Sequence, residues 1–400
     1  MDFTSQAAIR LTCPRGAAEL LRAEIEQLGF RVDTVGHSVV ETSGTLIDAM
    51  RMNLHLRTAV NVLYQLAQFP CDGPDELYRA VRDVPWENWL SPDTYFTVVS
   101  RGNHPSIDNF MYVNQRVKDA VVDRMIEHFG RRPDTGSERD GFVLNVIWFG
   151  ETAELFVNTS GRKLSDRGYR KLPHDAPMSE SLAAAVILAT GYDGSVSLTN
   201  PMCGSGTLAI EAALIATGRP PGLFRTHYGF QHIRGFDEDA WREMRIAAKK
   251  MRNRVEPKPI VATDMDPRAI DAARRNAETA GVHHMIEFHQ CDFTNTPLPS
   301  DKGVVVLNPE YGMRMGEIKA LESTYARIGD FFKQKCRGHS GYVFSGNLEL
   351  AKKIGLTAKR RIIFFNARIE CRLLMYELYE GSRRKPKPGA ESAADSAQHG

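Results

Sequence analysis

Residues 195–218 read "SVSLTNPMCGSGTLAIEAALIATG". A short apolar strand runs into a glycine turn, and the turn opens a helix. Gly204 and Gly206 let the backbone come close to a ligand, and the first N–H groups of the helix face it. A lone GxG also suits a plain structural turn. The third glycine of the dinucleotide fingerprint GxGxxG is missing, which disfavours hydride transfer. The neighbouring strand ends decide between these readings.

The stretch "PIVATDMDPRAIDAARRNAETAG" (259–281) is a second strand with an acidic tip, followed by a helix. A carboxylate just past such a strand can accept both hydroxyls of a ribose, and Asp264 is the candidate. Asp266 before Pro267 reads instead as a helix N-cap with Pro at the first helical position. A third strand, "IEFHQCDFTN" (286–295), ends at Asp292, which suits an adenine amine or the capping of a turn. The fourth tip is "GVVVLNPEYG" (303–312), an Asn-Pro turn after an apolar run. Strands at 196–199, 259–263, 286–289, 303–307 and 341–345, separated by helical stretches, predict a Rossmann-like, mostly parallel, doubly wound α/β sheet. Ligands of open α/β sheets sit beyond the carboxyl ends of the strands, so the four tips should converge on one crevice.

Upstream, the texture is α+β. A strand at 8–12, a helix over 14–30, strands within 31–42 and a helix over 44–56 form one unit, 1–69. A second unit, 70–160, holds a helix, a strand at 95–102, a long helix and a hairpin around Gly150. Residues 161–178, rich in basic residues with Pro and Gly, read as a linker to the 179–380 domain. Residues 381–400 lack apolar content and read as a disordered tail.

Composition narrows the class. At 42% hydrophobic and 25% charged, the 400-residue chain is globular. No apolar run approaches the roughly 20 residues of a membrane span, and the N-terminus lacks a signal-peptide pattern. Six scattered cysteines without a CxxC pair argue against zinc and against a disulfide framework. A cytoplasmic protein is expected. Residues 1–160 carry 15 Lys+Arg against 22 Asp+Glu, whereas 181–380 carry 27 against 22. Basic runs at 242–254 and 349–372 suit an anionic partner, or simply a solvated helix face.

The order of glycine loop, ribose acid, adenine acid and Asn-Pro-x-Tyr resembles class I S-adenosylmethionine-dependent methyltransferases that act on a base amine. The resemblance runs from about 8 to 380. Residues 8–60 resemble a ferredoxin-like region and about 70–160 a THUMP domain. "LSDRGYR" (164–170), "PMCGSGTLAIEAA" (201–213) and "NARIECRLLMY" (366–376) resemble further family segments. The chain is similar to THUMP-containing RNA guanine-N2 methyltransferases, among them the N-terminal methylase half of the fused bacterial enzyme that modifies 23S rRNA and tRNA enzymes. The resemblance implies an RNA partner, rRNA ahead of tRNA, and S-adenosyl-L-methionine as cofactor. It implies cofactor contacts from Asn200, Pro201, Cys203, Gly204, Ser205, Gly206, Thr207, Asp264, Met265, Asp292 and Phe293. Asn308, Pro309 and Tyr311 would be catalytic. Three positions depart from the family pattern. Asn200 stands where Asp is common, Ala367 where Gly follows the Asn, and Glu310 where a second Pro is expected.

The implied chemistry accounts for the Asn-Pro turn. A sulfonium methyl is already activated, so no metal is needed. The Asn308 side-chain oxygen and the Pro309 carbonyl can accept hydrogen bonds from the two amine protons, aiming the lone pair at the methyl. Such orientation supplies up to about 7–11 kcal/mol in well-aligned cases. Tyr311 offers a ring for a flipped base to stack on, worth roughly 1–3 kcal/mol. Glu310 could accept from guanine N1–H and select guanine, or instead face solvent or pair with Arg314. The rival readings are an adenine-N6 methyltransferase and an RNA-binding homologue that Glu310 has made inactive.

Overall fold

The computed structural model describes residues 2–171, 178–251, 256–312 and 315–379. The expected tail at 381–400, part of the expected linker, the end of the 242–254 basic run and Arg314 lie outside the described residues.

The N-terminal region is one seven-stranded sheet. Its strands are β1 (Ala7–Thr12), β2 (Val32–Val35), β3 (Val39–Gly44), β4 (Asn61–Pro70), β5 (Phe96–Asn103), β6 (Phe142–Phe149) and β7 (Thr152–Asn158). They lie in the order β2-β3-β1-β4-β7-β6-β5, antiparallel except for the β5–β6 pair. Helices α1 (Ala18–Gln27), α2 (Leu46–His55), α3 (Pro74–Asp83) and α4 (Phe110–Phe129) complete it. α2 begins at a capping box in which Thr45 and Asp48 satisfy each other's backbone N–H groups. The two units expected from sequence share this sheet, because β4 of the first pairs with β7 of the second. β4 escaped the sequence reading because its register shifts between Gln65 and Ala67, which breaks strict in–out alternation.

The C-terminal region contains α5 (Glu180–Ala189), β8 (Leu198–Pro201), α6 (Thr207–Ala216), α7 (Glu238–Lys250), β9 (Ile260–Asp264), α8 (Pro267–Thr279), β10 (Ile286–Gln290), β11 (Val304–Leu307), α9 (Met315–Gln334), β12 (Ser340–Ser345), α10 (Leu348–Lys352), β13 (Arg360–Asn366) and β14 (Ile369–Glu377). The strand order is β10-β9-β8-β11-β12-β14-β13. The first five strands are parallel; β14 and β13 are antiparallel additions. β11 is "VVVL" with all four residues buried, as a central parallel strand covered on both faces requires. All ten residues of α6 are buried, which is why it is apolar all round. The chain lays down β8, β9 and β10 toward one edge, then crosses to β11 on the other side of β8. The switch point therefore lies between the tips of β8 and β11.

Two expectations change here. The basic run at 349–372 is not a helix face: it covers α10, β13 and the start of β14. Nor is 161–171 a free linker, since Leu164, Arg167 and Tyr169 are buried. Arg167 reaches Glu211 on α6 at 2.9 Å, off the hydrogen-bond line, and donates to the Arg57 carbonyl at 2.6 Å. Tyr169 donates to Glu211 at 2.7 Å. Burial raises the Glu211 pKa against the pull of Arg167, and burial lowers that of Arg57 to about 10. Among the described residues, no helix is long and apolar enough to cross a membrane.

Candidate active site at the strand switch point

The glycine loop is built under backbone constraint. Met202 has φ 57°, a left-handed conformation uncommon for a side chain of its size, and Gly204 (54°) and Gly206 (82°) follow. A Cβ at Gly204 would meet nothing within 4 Å, so this face of the loop is open. A Cβ at Gly206 would lie 2.9 Å from Ala273 Cβ, so that glycine lets α6 pack against α8. Gly206 is the N-cap of α6 and leaves the helix without a side-chain cap. Cys203 donates its N–H to the Thr263 carbonyl at 2.9 Å, and burial raises its thiol pKa. Ser205 and Thr207 are buried; the Ser205 carbonyl accepts from Asn276 at 3.2 Å.

Asp264 stands at the tip of β9, beside this loop. Its Oδ2 accepts the Gly204 N–H at 2.9 Å and its Oδ1 the Asp266 N–H at 3.0 Å. The carboxylate thus braces the loop, a role the sequence did not reveal. Asp266 caps α8 through the Arg268 N–H, as its Asp-Pro context predicts. Met265 is 71% exposed at the rim. At the tip of β10, Asp292 Oδ1 accepts from the Thr294 N–H and hydroxyl and from Arg327 at 2.7 Å. Burial works to raise its pKa, but these bonds win and lower it. Phe293 was expected beside a cofactor. Its ring instead belongs to the core, edge-on to Phe331 and under the Arg327 guanidinium.

At the switch point, Asn200 is fully buried. Its amide donates to the Val306 carbonyl at 2.9 Å, tying β8 to β11, and its Oδ1 has no hydrogen-bond partner. Pro201 is buried beside it. One step beyond β11, Asn308 Oδ1 is likewise buried and without a partner. A buried carbonyl oxygen left unpaired costs about 1–3 kcal/mol, so both orphans mark places where a donor belongs. Pro309 is buried and Glu310 exposed.

Tyr311 is held from two sides. Asn366, the last residue of β13, donates to its hydroxyl at 2.9 Å, and Asn347 to its carbonyl at 3.3 Å. A Cβ at Gly346 would lie 3.0 Å from Tyr311 Cδ2, so a glycine is needed under the ring. Burial raises the Tyr311 pKa and the Asn366 bond partly offsets it, so the phenol stays neutral. Asn366 lies in a segment singled out from sequence, but its contact to Tyr311 spans 55 positions and no local pattern shows it. The hairpin turn after it carries Ala367 at φ 54°, where the family pattern has the Gly this backbone favours.

A separate cavity of about 710 Å³ lies between the 91–95 and 138–141 loops and the 231–234 segment. Two of its acids, Asp93 and Asp140, are already paired with Arg131 and Arg162. Neither the glycine loop nor the Asn-Pro turn lines it, so it is separate from the candidate site at the switch point.

Family models match three consecutive parts of the chain: an RlmL ferredoxin-like domain over 9–63, a THUMP domain over 73–158, and UPF0020, an RMKL-like methyltransferase domain, over 167–375. A ribosomal RNA large subunit methyltransferase K/L from Syntrophotalea carbinolica is 36% identical over 92% of this chain and 53% of its own length. The chain spans about half the length of such ribosomal RNA relatives. A solved structure complexed with S-adenosylhomocysteine superposes with a TM-score of 0.84 at 25% identity, covering 96% of this chain and 100% of its own. One from Listeria monocytogenes, described as a predicted N6-adenine-specific DNA methylase, gives 0.84 at 29% identity, covering 94% and 97%. The glycine loop, the acids on adjoining strands and the Asn-Pro-x-Tyr turn therefore sit in a matched domain, and the chain belongs to the UPF0020, RMKL-like methyltransferase family.

Proposed function

We propose that this protein transfers a methyl group from S-adenosyl-L-methionine to the N2 amine of a guanine in RNA, with 23S rRNA the first substrate to test. The observation that carries the reading is the buried, unpartnered Asn308 Oδ1 at the switch point, an acceptor awaiting an amine N–H. The crevice fits the cofactor. Asp264 suits the ribose hydroxyls, the open face at Gly204 suits the methionine part, and the orphan Asn200 Oδ1 suits its ammonium group. When bound, the cofactor supplies an electrophilic methyl.

The chain's own groups then orient the nucleophile. Asn308 Oδ1 and the Pro309 carbonyl accept from the amine, and the fixed Tyr311 ring stacks on a base taken out of its helix. None of these groups is a base of useful strength, so the amine proton passes to water after transfer. The ferredoxin-like and THUMP-like regions hold the RNA. The carrying experiment is radiolabelled methyl transfer to rRNA and to tRNA lacking their own modifications, with nucleoside analysis of the product. N2-methylguanosine supports the reading; no transfer to either RNA refutes it. The Listeria neighbour favours adenine N6 as the second reading, and N6-methyladenosine in the same analysis would establish it.

A further inference from the structure

Outside the crevice, the most telling feature is where the N-terminal region meets the free edge of the catalytic sheet. Among the described residues, β13 pairs with no strand but β14. Its outer edge is met by the 14–16 loop: Phe365 donates its N–H to the Arg15 carbonyl at 3.1 Å, and the Arg15 guanidinium lies 3.9 Å over the Phe365 ring. Gly16, with φ 91°, has room for no Cβ because the Ile363 carbonyl occupies that position. Two distant parts of the chain thus build one surface.

In-strand alternation puts Arg361, Ile363 and Phe365 on one face of β13. Arg361 is exposed, Ile363 is 48% exposed, and Arg15 covers Phe365. One residue on, Asn366 grips the Tyr311 hydroxyl, and Arg368 stands exposed in the turn. Of the neighbouring cations, Lys359 pairs with Glu377 and Arg372 with Glu370, and strand alternation puts Arg360 on the opposite face. Arg15, Arg361 and Arg368 make no ion pair among the described residues.

We propose that Arg15, Arg361 and Arg368, with Phe365 and Ile363 between them, form a track for the backbone of single-stranded RNA leading to the Tyr311 turn. From Arg361 to Phe365 is roughly 13 Å at strand rise, long enough to follow a short stretch of extended single strand. Three unpaired guanidiniums along a partly apolar strip are the donor set for phosphates flanking unstacked bases, since arginine forks match phosphate oxygens. The track ends at a turn that stacks a base, which favours RNA over an acidic protein segment. The inference rests on the RNA reading above and assigns it a surface.

The test uses the full chain and a fluorescein-labelled, unstructured 20-nucleotide RNA, with anisotropy read across a salt titration. Each arginine contact to a single strand contributes about 0.7 to the slope of log K against log salt. The triple variant Arg15→Ala, Arg361→Ala, Arg368→Ala should flatten that slope by about 2 and weaken binding by at least about tenfold at low salt. Lys335→Ala, an exposed cation elsewhere on the domain, should change neither. Titration with S-adenosylhomocysteine should give equal affinity in all three proteins, showing the crevice intact. An unchanged slope in the triple variant with that affinity retained overturns the track, even if methyl transfer to RNA is observed. A flattened slope supports it, even if the product is not N2-methylguanosine.

Discussion

Asp264 braces the glycine loop, and under the proposed function it also holds the cofactor ribose, so its variants should show two separable effects. Its carboxylate accepts the Gly204 and Asp266 N–H groups at 2.9 and 3.0 Å, which leaves lone pairs on each oxygen for ribose hydroxyls. Hydrogen bonds to a charged group are worth roughly 1.5–3 kcal/mol, and each 1.4 kcal/mol is tenfold in affinity. Asp264→Ala should therefore weaken binding of S-adenosylhomocysteine by about 10- to 100-fold in calorimetric titration. It also deprives two backbone N–H groups of their acceptor. Asp264 is only partly buried, so water replaces the carboxylate in part, and the stability loss should stay near 1 kcal/mol in denaturant unfolding. Asp264→Asn keeps one carbonyl acceptor and loses the charge, so it should be milder on both measures. An unchanged affinity in Asp264→Ala refutes the ribose assignment; a stability loss alone would reduce Asp264 to a brace for the glycine loop.

Ala367→Gly relieves a left-handed Cβ and should stabilise the β13–β14 hairpin by about 1 kcal/mol, read as a raised denaturation midpoint; no change would mean that the turn tolerates alanine. Glu310→Ala should lower kcat/KM on a guanine target by about 10- to 100-fold and narrow the gap to an adenine-substituted target, whereas an unchanged ratio makes this exposed side chain a bystander. Arg124 holds the Glu87 carboxyl down to about 2. Its contribution to stability is thus complete above the ordinary carboxylate range and lost as pH falls toward 2, so Glu87→Gln should match the parent protein at pH 2 and be less stable at pH 6. Glu211→Ala strands the buried Arg167 and should cost about 3–5 kcal/mol in denaturant unfolding, and a loss below 1 kcal/mol would show that the pair is dispensable.

What could be read from the sequence follows the range of the interactions involved. Strand tips announce themselves locally: an apolar run, then Gly, Asp or Asn-Pro. That is why Gly204, Gly206, Asp264 and Asn308 were identified with their elements. Asp266 was legible as a cap because its partner, the Arg268 N–H, is two residues away. β13 is hidden by its basic residues, which suit an exposed edge strand as well as a helix face. The resemblance implies a cofactor contact at Phe293, yet whether its ring turns inward depends on Phe331, 38 residues on. The hold of Asn366 and Gly346 on Tyr311 has the same character: both residues are visible in sequence, and only the fold brings them together.

The stretch read as a linker shows the same limit at the scale of domains. Basic residues near Pro and Gly suggest a solvated tether, and Arg162 does pair with Asp140 in the open. Five residues later, Arg167 is 1% exposed between Arg57 and Glu211. Farther on, Arg225 donates to the carbonyls of Ser160, Arg162, Lys163 and Asp166, so a single guanidinium from the catalytic region organises the whole passage. Ser181 on α5 donates to Ala59 at 2.9 Å across the same junction. Buried polar groups that can satisfy one another only when both regions are in place penalise any other arrangement, because each would be left unpaired. A hydrophobic seam could slide; these directional contacts fix the register between the N-terminal sheet and α6. Since α6 begins at Gly206, the same contacts set where the 14–16 loop meets β13 relative to the crevice, and so the angle at which an RNA held by the N-terminal region would present a base to Asn308.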